Sequence, residues 1–512
     1  MRRSVAAVVV ALSTALTVTS VTSSGSAAAT GGAGASSATQ GDARAQARAA
    51  LHSAQHALST SSTARPTDPT MALLHLRLSM GDLSGSERRQ AAAILARPTD
   101  HPDFFGQTYT VKAKKKCRGH ICIHWVPTTA DAPPNRHWVN KMLKMMNQVW
   151  SYEVGRLGYR PPLSDGHRGG NGRFDVYLKE LFHQGLYGLT TAERPTSYNR
   201  SLYSGYLLLD NDFARSQYGA KPIQVARVTA AHEFFHAIQF GYDVQEDSWL
   251  MEATSTWMED QFDDSSNDNR QYLPFGQLAH PDQPLDTFEA TGAAQYGNWA
   301  YFEHLSHRFG RGIVRQIWHS AAAFSGGGDR FSAHALRSVL SHHGGFDRDF
   351  ARYSAGNLTP GHSYPEGGHY PSPPVLARWQ LTGAAPSVGP SAFAVPHLAS
   401  GSVEVTPGAD LTQRGWRLRL KVAGPRKRKD PVAYVVVHTK KHGWIRKSVA
   451  LNRYGNGRLA VPFSNRKVDS VTLTVANAST SFRRCGKGAY SCSGSPRYPH
   501  PAYSVTVTAF RR

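Results

Sequence analysis

Val228–Tyr242 reads VTAAHEFFHAIQFGY, and shortly after it Trp249–Asp260 reads WLMEATSTWMED. The first stretch is apolar, has no internal Gly or Pro and stops at Gly241, which predicts a helix over about 223–240. On such a helix residues four apart are separated by one turn and about 40° of rotation, so His232 and His236 can face one ion. Glu233, one step on from His232, flanks the same side without joining the ligand pair. Two imidazoles with an adjacent carboxylate suit zinc. The ion lowers the pKa of bound water toward about 7, and a neighbouring carboxylate can take the proton as that water attacks a carbonyl.

A catalytic zinc needs a third protein ligand and an open position. The extended HExxHxxGxxH form does not apply, because Gln239 and Tyr242 stand at its glycine and third histidine. Glu252 is the favoured third ligand: the reversal through 241–248 and one turn of a second helix bring it back to the histidines. Glu259, seven residues on and nearly on the same face, is a rival ligand or the group that orients His232. Asp243, Glu246 and Asp247 fall in the turn and are expected to be solvated. Tyr296 is a candidate donor to the oxyanion formed on attack, against the plainer role of a packed residue opening a helix. Asp210 and Asp212 close a Leu-rich strand whose end is a candidate cleft edge for an extended peptide. The two carboxylates are expected to cap the following turn, with Ca2+ as the alternative.

Working outward, strands are expected at 109–111, 121–126, 175–178 and 206–209, and helices at about 138–150, from 249, and over 296–323. Strictly alternating Trp416–Val422, with 432–438, 471–475 and 503–510, predicts an antiparallel β-sandwich over 386–512. The fold class is therefore α+β, with a zincin-like core over 105–385. Residues 30–104 precede it. They divide into a Gly/Ala/Ser/Thr stretch at 30–41 expected to be disordered and helices at 42–58, 69–81 and 87–95, a block that is either a propeptide or an N-terminal cap. At the start, Arg2 and Arg3, an apolar run and Ala27–Ala29 read as a secretory signal over 1–29. No later stretch is long enough to span a membrane, so a soluble, secreted monomer is expected. The four cysteines form two close pairs, Cys117 with Cys122 and Cys485 with Cys492, which suits local disulfides in an exported protein.

Charge is uneven. From Gly401 on lie 22 of the 58 Lys and Arg but only 4 of the 36 Asp and Glu, so most of the +22 net charge belongs to the last segment. That segment could bind an anionic cell-surface polymer or could be a solvated face. There is no Gly-x-Ser-x-Gly elbow, phosphate loop or Gly-x-Gly-x-x-Gly.

LLLDNDF from Leu207, VTAAHEFFHAIQFGYD and WLMEATSTWMED together resemble a family of exported bacterial HExxH proteins classed as metallopeptidases of the glutamate-zincin (gluzincin) kind. LARPTD at 95–100, ICIHWV, RFDVYL, YGNWAYFEHLSHRFG and VTLTVANAS extend the resemblance over nearly the whole mature chain, loosely in the β segment. It implies zinc ligation by His232, His236 and Glu252, with Glu233 as general base. The substrate is not carried over from the resemblance; the leading expectation is hydrolysis of protein or peptide. Thr256 stands where the thermolysin form has an aspartate four residues after its glutamate. The orienting partner of His232 is then expected to be Glu259. Two other readings compete: a surface-binding protein that uses the basic β module on an inactive zincin scaffold, and an amidase cutting cell-wall peptides.

Overall fold

The computed structural model describes residues 34–59, 68–100, 108–483, 485 and 494–511. The expected secretory signal and Cys492, the expected partner of Cys485, lie outside them. Cys117 and Cys122 form the expected disulfide, and no free cysteine occurs among the described residues. No helix there is long and apolar enough to cross a membrane.

The chain is α+β. Three N-terminal helices, α1 (Gly34–Ala57), α2 (Pro69–Ser79) and α3 (Gly85–Ile94), precede the first sheet. Helix α1 already begins within the stretch expected to be disordered. The capping signals of the next two are explicit. Asp68 accepts from the Met71 amide, and Ser84 forms a reciprocal box with Glu87.

The first sheet comprises β1 (Lys114–Arg118), β2 (Ile121–Trp125), β3 (Phe174–Lys179), β4 (Gly188–Pro195) and β5 (Tyr203–Asp210), in the order β1-β2-β3-β5-β4. The pairs β2–β3 and β3–β5 are parallel, the outer two antiparallel. Helix α4 (Arg136–Trp150) joins β2 to β3 and continues into a π-turn over Ser151–Arg156. Two expectations are corrected here. Residues 109–111 form no strand: Tyr109 is buried with its hydroxyl donating to the Leu178 carbonyl, and its amide turns to Pro98. The Leu-rich strand β5 is not the edge. Buried on both faces, Leu207–Leu209 make it an interior strand, and the edge is β4. GLTTAERP lacks the apolar alternation by which β4 could have been found.

A short turn, α5 (Arg215–Tyr218), leads to α6 (Pro222–Phe240), which lies against β4 and β5 and packs on α7 (Ser248–Phe262). The turn between these helices is not solvated: Asp243 and Glu246 are buried. Glu246 accepts from the Ser332 amide at the start of α11 (Ser332–Ser341), a helix the sequence reading passes over, so the acidic turn serves a helix N-terminus. Before it come α8 (Ala294–Gly297), α9 (Trp299–Phe309) and α10 (Gly312–Ala321), and after it α12 (Phe346–Gly356).

The β module begins at Ala377, ahead of the expected boundary. One sheet holds β6 (Ala377–Leu381), β8 (Ser400–Pro407), β10 (Pro431–Thr439), β11 (Gly443–Ser448) and β13 (Val468–Asn477); the other holds β7 (Ser387–Ala394), β9 (Trp416–Ala423), β12 (Asn456–Pro462) and β16 (Ala502–Arg511). A two-stranded ribbon, β14 (Phe482–Arg483) with β15 (Ser495–Pro496), is separate. Val403, Val435 and Leu473 of the first sheet meet Leu418, Leu420 and Val505 of the second in one apolar core, which makes the module a sandwich. All but one of its pairings are antiparallel; β6 runs parallel to β8. The module is joined by backbone to the loop before α8: the Leu398 carbonyl accepts from the Leu285 amide and the Gln277 side chain, and the Ser400 amide donates to Pro281.

Candidate metal centre

Helices α6 and α7 bring His232, His236 and Glu252 together, with one ligand-type atom of each within 4.8 Å of the others. The Nε2 atoms of the two rings are 3.0 Å apart; Glu252 Oε2 is 3.2 Å from His232 Nε2, and Oε1 is 3.3 Å from His236 Nε2.

The outer ring atoms define what this cluster can hold. His236 Nδ1 lies 2.8 Å from Gln239 Oε1. The Gln239 amide nitrogen donates to the Met251 carbonyl and approaches Thr254 and Ser255, which fixes its oxygen as the acceptor facing the ring. His232 Nδ1 lies 2.7 Å from Glu259 Oε1, again an acceptor. The Nδ1 atoms of both rings thus face acceptors, and both Nε2 atoms turn toward each other and toward Glu252. Glu252 Oε1 is buried without a hydrogen-bond donor. Such a convergence of acceptors calls for positive charge. A proton on His232 is one source: burial opposes it, but the carboxylates of Glu252 and Glu259 raise the imidazolium well above its ordinary range. A divalent ion meets the charge fully, and two imidazole nitrogens with one carboxylate are a donor set that zinc takes. The residues fit such an ion. Glu259 faces the far side of the His232 ring and stands outside the cluster; burial pushes its carboxyl up to about 7 despite the neighbouring ring.

Glu233 points the other way along α6, toward the sheet edge, where its Oε2 accepts from Thr190 Oγ1 at 2.7 Å and Thr70 Oγ1 at 3.2 Å. Gly188 permits this approach, since a Cβ there would come within 2.9 Å of Thr229 and 3.1 Å of Glu233. A cavity of about 340 Å³ opens over the cluster, lined by Asp68, Glu233, Glu259, Tyr187, Tyr272 and Tyr296 among others. Tyr296 stacks on Tyr272, 5.1 Å between ring centres, and its hydroxyl donates to Asp68 Oδ2 at 2.9 Å. Burial and the nearby Glu252 carboxylate push the Asp68 carboxyl well above its usual range.

The structure thus brings His232, Glu233, Glu252 and Tyr296 to one cavity, with His236 fully buried in the cluster beside them. Asp210 and Asp212 lie elsewhere and serve backbone amides: Asp210 accepts from Leu181, Asp212 and Phe213, and Asp212 from Ala214. This is a capping arrangement. Sequence reasoning misses Gln239, Thr190, Thr70 and Asp68. Only Gln239 carried a signal, being three residues after His236 and so one turn away.

No family model matches the chain, and no curated protein matches it. Among solved structures, a surface-associated copper-binding protein important in copper acquisition by Methylomicrobium album BG8 aligns at a TM-score of 0.16 and 11% identity, covering 27% of this chain and 98% of that one. A family GH115 4-O-methyl-α-glucuronidase with specificity for decorated arabinogalactans aligns at 0.15 and 8%, covering 57% of this chain and 38% of that one. Neither likeness carries an argument about fold or function.

Proposed function

We propose that the chain is an exported zinc-dependent metallopeptidase with a zincin-like core, in which His232, His236 and Glu252 hold the metal and Glu233 is the general base. The observation that carries this reading is the pair of Nε2 atoms, 3.0 Å apart and backed on the far side of each ring by carboxylate and amide acceptors, beside a carboxylate with an oxygen that no donor reaches.

Zinc bound there would polarise a substrate carbonyl and acidify a water molecule. The chain's own residues do the rest. Glu233 takes the proton of the attacking water on its carboxylate and delivers it to the leaving amine nitrogen. Thr190 holds that carboxylate in place by its hydroxyl. The Tyr296 hydroxyl, on the cavity wall with its ring centre 6.2 Å from that of His232, would donate to the carbonyl oxygen as charge develops, on leaving Asp68. Strand β4 beside the cluster is the edge of its sheet, the kind of strand to which an extended peptide pairs once α2 is displaced, which favours peptide as the substrate class. The lysines and arginines concentrated after Gly401 favour an anionic polymer as the surface on which the protein works.

The test is metal analysis of the purified full chain together with a peptide-hydrolysis assay. One equivalent of zinc is expected, with hydrolysis abolished by chelator and by Glu233→Gln. A protein that takes up no zinc, or a Glu233→Gln variant as active as the parent, overturns the reading.

A further inference from the structure

Helix α2 belongs to the N-terminal block, far in sequence from the metal centre, yet its first turn reaches into the cavity. One oxygen of Asp68 caps the helix by accepting from the Met71 amide at 2.9 Å. A cap needs nothing more. The other oxygen accepts from the Tyr296 hydroxyl, and the Asp68 amide donates to the Ala290 carbonyl, beside the cavity rim at 291–293. Thr70, two residues on, donates to Glu233 and accepts from the Thr190 amide at 3.0 Å. Two turns further, Arg77 Nε donates to the Ala192 carbonyl at 2.9 Å. Thr190 and Ala192 are two apart on the edge strand, so these are backbone groups of one outward-facing row.

We propose that α2 is a built-in inhibitor of the metal centre: Asp68 occupies the Tyr296 hydroxyl while Thr70 and Arg77 cover the edge of β4 to which a peptide would pair. The proposal rests on the metallopeptidase reading. Helix α2 engages four groups that turnover needs: the oxyanion donor, the base and two backbone sites of the substrate-pairing strand. The helix is held firmly, because Met71 and Leu74 are buried in the main core and Leu73 and Leu76 in the adjoining one. Release therefore requires displacing a packed element, which suits an enzyme kept inactive until it reaches its site of action.

Point variants test this without deleting a core helix. Asp68→Ser keeps a capping oxygen but is too short to reach Tyr296, and Arg77→Ala uncovers the Ala192 carbonyl. The full chain, loaded with zinc, is titrated calorimetrically with acetohydroxamate and with a peptide hydroxamate, and zinc is quantified in every sample. Asp68→Ser is expected to bind both probes at least tenfold more tightly than the parent, and to cleave a reporter peptide faster by a similar factor. Arg77→Ala, which also serves should Asp68→Ser fail to fold, is expected to strengthen binding of the peptide hydroxamate alone. Unchanged or weaker probe binding with one equivalent of zinc present overturns the inhibitor and leaves the metal centre standing. A parent protein that takes up no zinc overturns both.

Discussion

The Glu259 carboxylate lies 2.7 Å from Nδ1 of His232, across the ring from the nitrogen that faces Glu252 and His236. Two glutamates seven residues apart on α7 thus address opposite ends of one imidazole. Glu252 shares in the cluster; Glu259 fixes the tautomer and orientation of a ring that belongs to it. Their replacements should separate cleanly. Glu252→Ala is expected to lose stoichiometric zinc binding, and Glu259→Ala to retain it at an affinity weaker by about 10–100-fold. Competitive titration against a chromophoric chelator measures both.

Glu233 makes its hydrogen bonds toward Thr190 and Thr70, away from the other ring nitrogens. Glu233→Gln should therefore leave zinc affinity near the parent value while lowering kcat by roughly 10²–10⁴-fold, the usual weight of a general base. The comparison is best made in the Asp68→Ser background, by single-turnover hydrolysis alongside zinc analysis.

Arg97 ties the N-terminal block to the first sheet through a buried charge cluster. Its guanidinium meets Glu193 at two points, each 2.7 Å, and also Asp165 and Asp175, and only 1% of its side chain is exposed. Arg97→Met leaves three carboxylates without their shared cation, a change expected to cost about 3–5 kcal/mol. Urea denaturation should register this as a lower midpoint.

His75, on α2, is half-buried near Ser248 and Phe288, and desolvation holds its pKa down to about 3. The folded chain keeps this ring neutral, whereas the unfolded chain protonates it below about 6.5. Unfolding therefore takes up a proton as the pH falls through 6.5, and the folded state loses stability from there downward until the folded pKa is reached. Between pH 7 and pH 5 the loss from this one ring is about 2 kcal/mol. Buried carboxyls with raised values, such as Asp260 at about 7, act in the opposite direction. The measurement is accordingly a difference: the parent should lose about 2 kcal/mol more than His75→Gln over that interval.

The legible parts of the sequence were those where one residue pattern answers one geometric demand. The His-Glu-x-x-His spacing, the return to Glu252 and the partnership of Glu259 with His232 follow from helical periodicity over fewer than thirty residues. Strands β9, β10, β13 and β16 announce themselves by alternating or unbroken apolar runs. Strand β4 does not: its buried Thr190 is polar because its hydroxyl serves Glu233, while its amide serves Thr70. The acidic turn after Gly241 looks like surface until α11 is placed against it. Asp68 and Thr70 could not have been assigned to the cavity by spacing. They lie more than 160 residues from Glu233, and only the packing of α2 along the sheet edge brings them there.

The backbone seam between the β module and the loop before α8 has a mechanical consequence. Leu285, fastened to Leu398, also offers its carbonyl to Asn298, which in turn accepts from the Gln277 amide, and these neighbours carry the wall that presents Tyr296 and Phe275. The sandwich is thus a buttress for the half that holds the cluster rather than a detachable appendage. Severing the chain ahead of Ala377 would strip acceptors from that wall, and a truncated core would misreport the behaviour of the intact protein.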